Sequence, residues 1–283
     1  MTIPNWLRPG RVVAGAIVVA LVLACALAAP WLAPHDPDEQ NLLTTLLPAA
    51  WQMGGDAAYP LGTDGLGRCV LSRLLFGARL AMQVAVTASL GAAALGAVLA
   101  YVAGYLGGWT DWIISRLVEV WMSFPPVILS LILMTGLGTG RRNIILAIIL
   151  VDWTRFCRVL RSEVMVVARR DFVAAARLLG FSHWRTVVRE VVPATVPLLV
   201  TLLTLEMGIA VIVEAILSFV GLGVRSDQIA WGQMIADGRE AVYQAPFNLL
   251  APVIAIFVVV AGFNLLGDGL RRSLDVRLIE TRH

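Results

Sequence analysis

Four charged residues interrupt otherwise apolar stretches, and they are the residues whose type and position could do chemistry. Glu206 lies near the middle of one stretch with Glu214 two turns further along, while Asp152 and Arg155 interrupt another. An ionisable side chain at the centre of a bilayer costs on the order of 3 kcal/mol, so each should face a bundle interior or water. The glutamates could line a path and meet a cationic group, or they could hold helices together. Asp152 and Arg155, three residues apart, are expected to pair on one helical face.

Residue counts exclude several kinds of catalytic site. All 22 basic residues are arginine, so the chain has neither a P-loop lysine nor a Schiff-base lysine. If ATP drives this protein, the ATPase must therefore be another chain. The 3 histidines lie far apart and the 3 cysteines form no CxxC pair, so no local metal-ligand spacing exists. The sequence predicts no catalytic residue, no metal site and no cofactor in this chain.

The composition indicates an integral membrane protein. Hydrophobic residues make up 59% of the chain and charged residues 14%, with a mean hydropathy of +0.81, whereas a soluble domain is about 45–50% apolar and about 25% charged. Runs of about 20 apolar residues can cross a hydrocarbon core as helices. We expect an all-α membrane domain over 1–283 with about six transmembrane helices, at roughly 12–32, 80–106, 115–136, 142–158, 194–221 and 247–267.

The first apolar run could be a signal peptide, but its length favours an uncleaved anchor. Arginine placement then predicts the orientation, because cytoplasmic loops of membrane proteins are enriched in basic residues. With the N-terminus inside, 15 of the 22 arginines lie on the cytoplasmic side. Both termini of this multi-pass chain are therefore expected in the cytoplasm.

Two segments on the predicted outside exceed tight-turn length. The first, 33–79, begins with prolines that favour an irregular start. Apolar residues from Leu66 to Leu80 recur at helical spacing with arginines between them, which predicts an amphipathic helix at the outer interface. The second segment, 222–246, is expected to hold a short helix around Trp231.

The predicted cytoplasmic loop at 159–193 carries signals for a helix pair. Asp171 can cap a short helix that Gly180 ends in a left-handed conformation. Ser182 can cap a second helix before Pro193 opens the next span. A compact basic helix pair of this kind could be a docking element, or the loop could be a solvated basic segment that only fixes topology.

This loop resembles the EAA loop of ABC-importer permeases, whose pattern is E-A-A-x3-G-x9-I-x-L-P. The matching positions are Ala174, Ala175, Ala176, Gly180 and Pro193. Other stretches are similar to the dipeptide/oligopeptide/nickel permease family and occur in the expected order along nearly the whole chain. They are PLGTD at 60–64, LSRLL at 71–75, GAR at 77–79, SFP at 123–125, EAILSFVGLG at 214–223, WGQM at 231–234 and NLLGD at 264–268.

The resemblance implies a six-span permease subunit in a bacterial inner membrane. It would form half of a translocation path with a homologous permease, while two ATPase subunits bind ATP and magnesium and an external binding protein delivers substrate. Di- or oligopeptides are the favoured substrates, with a nickel chelate or a glutathione-like compound as alternatives. A self-contained secondary transporter or channel is a distant rival, which would predict an internal repeat or broken helices around an ion site.

The family pattern also assigns candidate site residues. The EAA loop would be the coupling helix seated on an ATPase subunit, formed by Asp171, Ala174 to Ala176, Arg177, Gly180 and Pro193. The motif's glutamate is replaced by Ala174, so coupling is expected to rest on shape and on Arg177. Candidates for the translocation path are Glu206, Glu214 and Pro125, the last of which should kink the third span as a static bend or as a gate hinge.

Overall fold

The computed structural model describes residues 7–225 and 228–280, and this part of the chain is helical apart from its connections. A single bridge between Thr63 and Cys69 is the extent of β pairing in the described residues. The α-helices are α1 (Leu7–Leu32), α2 (Val70–Leu106), α3 (Gly108–Met122), α4 (Pro126–Leu137), α5 (Arg141–Val167), α6 (Asp171–Leu178), α7 (His183–Thr186), α8 (Val192–Phe219), α9 (Trp231–Glu240) and α10 (Phe247–Glu280), with a 3-10 turn at Leu42–Thr44 and a π-type turn at Val187–Val191.

Four continuous helical segments are long and apolar enough to cross a membrane. They are Gly10–Leu32, Val70–Leu106, His183–Phe219 and Phe247–Arg271. A fifth span results if α3 and α4 are counted together, although they are bent by 88° at the break between them. The all-helical membrane class is confirmed, and length with composition supports four or five spans.

The fourth predicted span, 142–158, lies within α5. This helix has 27 residues, which corresponds to about 40 Å at a rise of 1.5 Å per residue. Its charged residues, seven between Arg141 and Glu163, distinguish it from the four apolar spans. α5 nevertheless packs along the length of α2, where Ala88, Ala92 and Ala100 are fully buried, because small side chains let two helices approach closely.

The segment before α2 differs from the predicted amphipathic helix. The helix begins at Val70 rather than Leu66 and continues without a break into the apolar span. Arg73 is only 3% exposed: its guanidinium donates to the Pro37 carbonyl at 3.3 Å and lies 3.7 Å from both Asp38 and Asp64. The arginine therefore faces an acidic, folded loop instead of an aqueous interface, because the loop wraps back over the first turns of α2.

The short helix expected near Trp231 is present as α9. The Trp231 indole is buried and donates to the Leu74 carbonyl of α2 at 2.9 Å. Asp237 on the same helix lies 3.8 Å from Arg68. Burial raises the pKa of Asp237, and the positive charges of Arg68 and Arg73 oppose this rise. α9 thus connects the loop that precedes α2 to the helix bundle.

Candidate functional site

A short helix pair, α6 and α7, connects α5 to α8. Gly180 ends α6 with a φ of +83°, and two backbone bonds close the turn, Phe181 N–H to Ala176 at 3.1 Å and Gly180 N–H to Arg177 at 3.0 Å. The left-handed residue and the paired bonds are those of a Schellman C-cap, as Gly180 predicted. The Ser182 hydroxyl accepts a bond from the Arg185 N–H, which confirms the predicted second cap.

Two details of the helix pair differ from the prediction. Asp171 is the first residue of α6 rather than its cap, since the N-cap residue is Arg170 and makes no side-chain bond to the helix. Asp171 still lies in the first turn, where a carboxylate interacts favourably with the helix dipole. The second helix does not end before Pro193: α7 passes through the π-type turn into α8, and Pro193 lies in the first turn of α8, where its missing N–H costs little.

One side of α6 is anchored to the bundle. Val173 and Ala176 are buried, and Val173 packs in one cluster with residues of α5 and the π-type turn. Arg177 stacks its guanidinium over the Tyr105 ring at 5.0 Å, and the Tyr105 hydroxyl lies 3.4 Å from His183 Nδ1. These contacts fix the helix pair against the end of α2.

The other side of the pair is an exposed surface of mixed character. Leu178 is 89% exposed, Leu179 79% and Trp184 77%. Ala174 and Ala175 of the AAA sequence are also exposed, whereas Ala176 faces inward. The helix pair and its flanking residues also carry exposed arginines, at 169, 170, 177, 185 and 189. Large apolar side chains with a basic rim, held on a rigid helix pair, are typical of a protein docking site.

The charged residues inside the bundle form a contact between α5 and α8. Arg155 Nη1 donates to Glu206 Oε1 at 3.2 Å, and Arg155 Nε lies 3.9 Å from Asp152 Oδ1. The predicted pairing of Asp152 with Arg155 is confirmed. The contact with Glu206 was not predicted, because it joins residues 51 positions apart in the chain. Glu206 is 5% exposed and Asp152 2%, so the cation between them compensates charge that would be costly to bury alone.

Glu214 and Pro125 lie elsewhere in the bundle. Glu214 is 1% exposed and accepts a bond from the Ser218 hydroxyl one turn later at 2.7 Å. Its Oε2 has no hydrogen-bond partner among the described residues. Pro125 precedes α4 at the 88° bend, so the predicted interruption of the third span is confirmed as a break between two helices. The structure does not bring Glu206, Glu214 and Pro125 together into one contact cluster.

A second ion pair, absent from the sequence-based candidates, joins α3 to α5. The Arg161 guanidinium bonds both oxygens of Asp111, through Nε to Oδ1 and through Nη2 to Oδ2 at 2.6 Å. Its signal in the sequence was the recurrence of arginine every three residues at 155, 158 and 161. Within the described residues no three His, Cys, Asp or Glu side chains are grouped so as to hold a metal ion.

An all-helical fold with several helices long and apolar enough to cross a bilayer is that of an integral membrane protein. The chain belongs to the family of binding-protein-dependent transport system inner membrane components, whose model matches residues 74–280. A second model, for the N-terminal transmembrane domain of oligopeptide transport permease C, matches residues 10–49. The chain is thus a permease subunit of an ABC importer and not an enzyme.

Curated relatives cover nearly the whole chain and carry different substrate names. The nickel transport system permease protein NikC of Escherichia coli K12 is 38% identical over 267 residues, 94% of each chain. The di/tripeptide transport system permease protein DppC of Pseudomonas aeruginosa is 36% identical over 93% of this chain and 87% of its own. The glutathione transport system permease protein GsiD of Pectobacterium atrosepticum is 33% identical over 97% of this chain and 89% of its own. These likenesses fix the importer class and leave the substrate open.

Proposed function

We propose that this subunit forms half of the translocation path of an importer for di- or oligopeptides. Its partners are a homologous permease, two ATPase subunits that bind ATP and magnesium, and an external binding protein that delivers the solute. Support comes from the dipeptide and di/tripeptide permeases among its relatives and from the match of residues 10–49 to an oligopeptide permease domain.

The test is uptake by the assembled importer. Cells that lack their own peptide importers should take up a labelled di- or tripeptide when they express this subunit with its partners and its binding protein. Uptake should stop when the binding protein is omitted. Peptide uptake no higher than in the empty strain would contradict the peptide assignment.

A nickel chelate is the second candidate substrate, favoured by the 38% identity to the nickel permease of Escherichia coli. A glutathione-like compound is an alternative of the same importer type. Binding measurements on the purified cognate binding protein separate these candidates. Tight binding of chelated nickel without binding of peptides would transfer the assignment to nickel.

The helix pair α6–α7 is proposed as the coupling element that docks on an ATPase subunit. Its exposed face comprises Leu178, Leu179 and Trp184, and the coupling residues are Asp171, Ala174, Ala175, Ala176, Arg177, Gly180 and Pro193. An ATPase groove would bury this apolar face while its acidic rim meets the arginines.

Leu178→Asp tests this docking, because it places a charge in the middle of the apolar contact. The variant should lose copurification of the ATPase subunits. Leu43→Asp is the matched control, since Leu43 is 95% exposed in the segment before α2. Equal retention of the ATPase by both variants would refute docking through this face.

Both termini are proposed to lie in the cytoplasm of a bacterial cell, with the segment before α2 outside. The basic residues of the 159–193 segment support this orientation. A reporter that folds only in the cytoplasm should be active when fused after residue 283 and inactive when inserted at Gly54. The reverse pattern would invert the topology and separate α6–α7 from any cytoplasmic ATPase.

Glu206, Glu214 and Pro125 are proposed to influence the path. Glu206→Gln keeps the size of the side chain and removes its charge, so a path role predicts reduced uptake with normal assembly. Full uptake and full ATPase stimulation by this variant would assign Glu206 to helix packing alone, through its contact with Arg155.

A further inference from the structure

Three arginines on α5 lie one above the next. Arg155, Arg158 and Arg161 are spaced three residues apart, so each is displaced from its neighbour by about 4.5 Å along the axis and lies near the same face. The two outer arginines are neutralised, Arg155 by Glu206 and Asp152, and Arg161 by Asp111.

The middle arginine has no such partner. Arg158 is exposed and forms no ion pair with an acidic residue in the part of the chain that the structure describes. Its guanidinium contacts the Met122 sulfur at 3.9 Å. The Glu119 carboxylate on α3 pairs with Arg116. One positive charge, that of Arg158, therefore remains uncompensated between α3 and α5.

The Arg158 side chain lines a cavity of about 450 Å³ between these two helices. Polar groups of α3 line it with Arg158, namely the hydroxyls of Ser115 and Ser123 and the carboxylate of Glu119. The volume falls within the range of about 300–1,000 Å³ that is usual for small-molecule sites. By contrast, α1 and α10 expose large apolar side chains, as at Ile17, Leu21 and Phe257. The α3–α5 cavity is thus unlike the faces that suit lipid tails.

We infer that Arg158 binds an oxyanion in this cavity, the carboxylate of the transported solute. The inference deepens the proposed importer function and rests on it. A guanidinium presents planar paired donors that match a carboxylate or a phosphate. The Ser115 hydroxyl donates to Asp111 and the Ser123 hydroxyl to the Val120 carbonyl, so the donors for the anion come from Arg158. A lipid phosphate offers the same chemistry, so the test distinguishes the two sources.

The first measurement needs no transported solute. Ser123→Cys places a thiol in the cavity of the assembled importer. The chain without this change gives the background, in which Cys25 is partly exposed and Cys69 and Cys157 are buried. A sulfonate-bearing thiosulfonate reagent should label Cys at 123 faster than a trimethylammonium-bearing one. Arg158→Gln should lower this rate ratio by about fivefold, because it removes the charge that attracts the anion.

Arg142→Gln is the matched control, because Arg142 is also exposed but lies outside this cavity. It should change the ratio less than Arg158→Gln does. An Arg158→Gln ratio equal to the unsubstituted one overturns the inference. Equal yield and melting temperature of the assembled variants exclude misfolding as the cause.

The second measurement identifies the source of the anion. Arg158→Gln should reduce uptake of a tripeptide with a free carboxylate about tenfold, while uptake of its C-terminal amide keeps the unsubstituted value. Arg158→Lys should recover the labelling ratio but only part of the uptake, because an ammonium lacks the paired donors. If Arg158→Gln reduced uptake of both peptides equally, Arg158 would not bind the carboxylate of the solute.

Labelling of the importer in lipid vesicles tests whether the anion is a lipid phosphate instead. If an anionic lipid occupies the cavity through its phosphate, replacing part of the zwitterionic phosphatidylcholine of the vesicles with phosphatidylglycerol should slow anionic labelling in the parent and not in Arg158→Gln, which would overturn the solute assignment. A wild-type importer that takes up neither peptide would contradict the peptide function, whereas the labelling ratio would still test Arg158.

Discussion

Gly96→Ala tests how closely α2 and α5 pack, and α5 is the helix that carries the three arginines. A β-carbon added at Gly96 would lie 2.5 Å from the Trp153 carbonyl oxygen, 2.6 Å from the Phe156 β-carbon and 3.0 Å from the Cys157 nitrogen. Ordinary contacts of this kind begin at 3.4 Å. Because two of the three atoms belong to the backbone of α5, a side-chain rotation cannot relieve the overlap.

The expected loss follows from two opposing contributions. Forcing a methyl group into a packed interface costs typically 1–3 kcal/mol, while replacing glycine by alanine in a helix stabilises it by about 1 kcal/mol. Because the added methyl group would contact helix backbone, we expect the packing cost of Gly96→Ala to lie toward the upper end of this range of about 1–3 kcal/mol. The net destabilisation is then about 1–2 kcal/mol. At about 2–4 °C per kcal/mol, the midpoint of unfolding should fall by a few degrees.

Gly136→Ala is the matched control, because it lies within helix α4 and an added β-carbon there meets no atom within 4 Å. It should keep or slightly raise the unfolding midpoint. Unfolding can be followed in detergent with a thiol-reactive dye in a Cys25→Ala background, since Cys25 is partly exposed whereas Cys69 and Cys157 are buried in the folded chain. Equal midpoints for the two variants would refute the close approach of α2 and α5 at this position.

Four further substitutions test other contacts. Asp111→Asn and Arg161→Gln should each destabilise the chain by about 1–2 kcal/mol, the pair being partly exposed and therefore screened; a double variant equal to the sum of the singles would show that the two groups do not interact. Arg73→Gln should release the loop before α2, so limited proteolysis should cut that loop faster than in the exposed-arginine control Arg79→Gln; equal cutting rates would contradict an anchoring role. Gly180→Ala imposes a left-handed φ of +83° on a residue with a β-carbon, which costs roughly 1 kcal/mol, and it should reduce ATPase stimulation in the assembled importer; unchanged stimulation would show that coupling does not depend on this turn.

The existence of most helices followed from the sequence, because hydropathy and capping are local properties. Gly180 and Ser182 mark the turn between α6 and α7 correctly, since a left-handed residue and a capping hydroxyl act on their immediate neighbours. The separate helix expected from Leu66 was not found, because the arginines in that stretch could face either water or a folded acidic loop. Only the packing of the loop against Arg73 decides between these surroundings.

By itself the sequence determined the membrane class, the absence of a lysine-based ATPase site and the resemblance that the family match later confirmed. The tertiary structure alone decided which charges meet. Arg155 reaches Glu206 and Arg161 reaches Asp111 across about 50 residues of chain, whereas Arg158 between them has no carboxylate partner among the described residues. Such pairings depend on how two packed helices are rotated and shifted relative to each other. That rotation and register are set by side-chain interdigitation along the whole interface and not by any local run of residues.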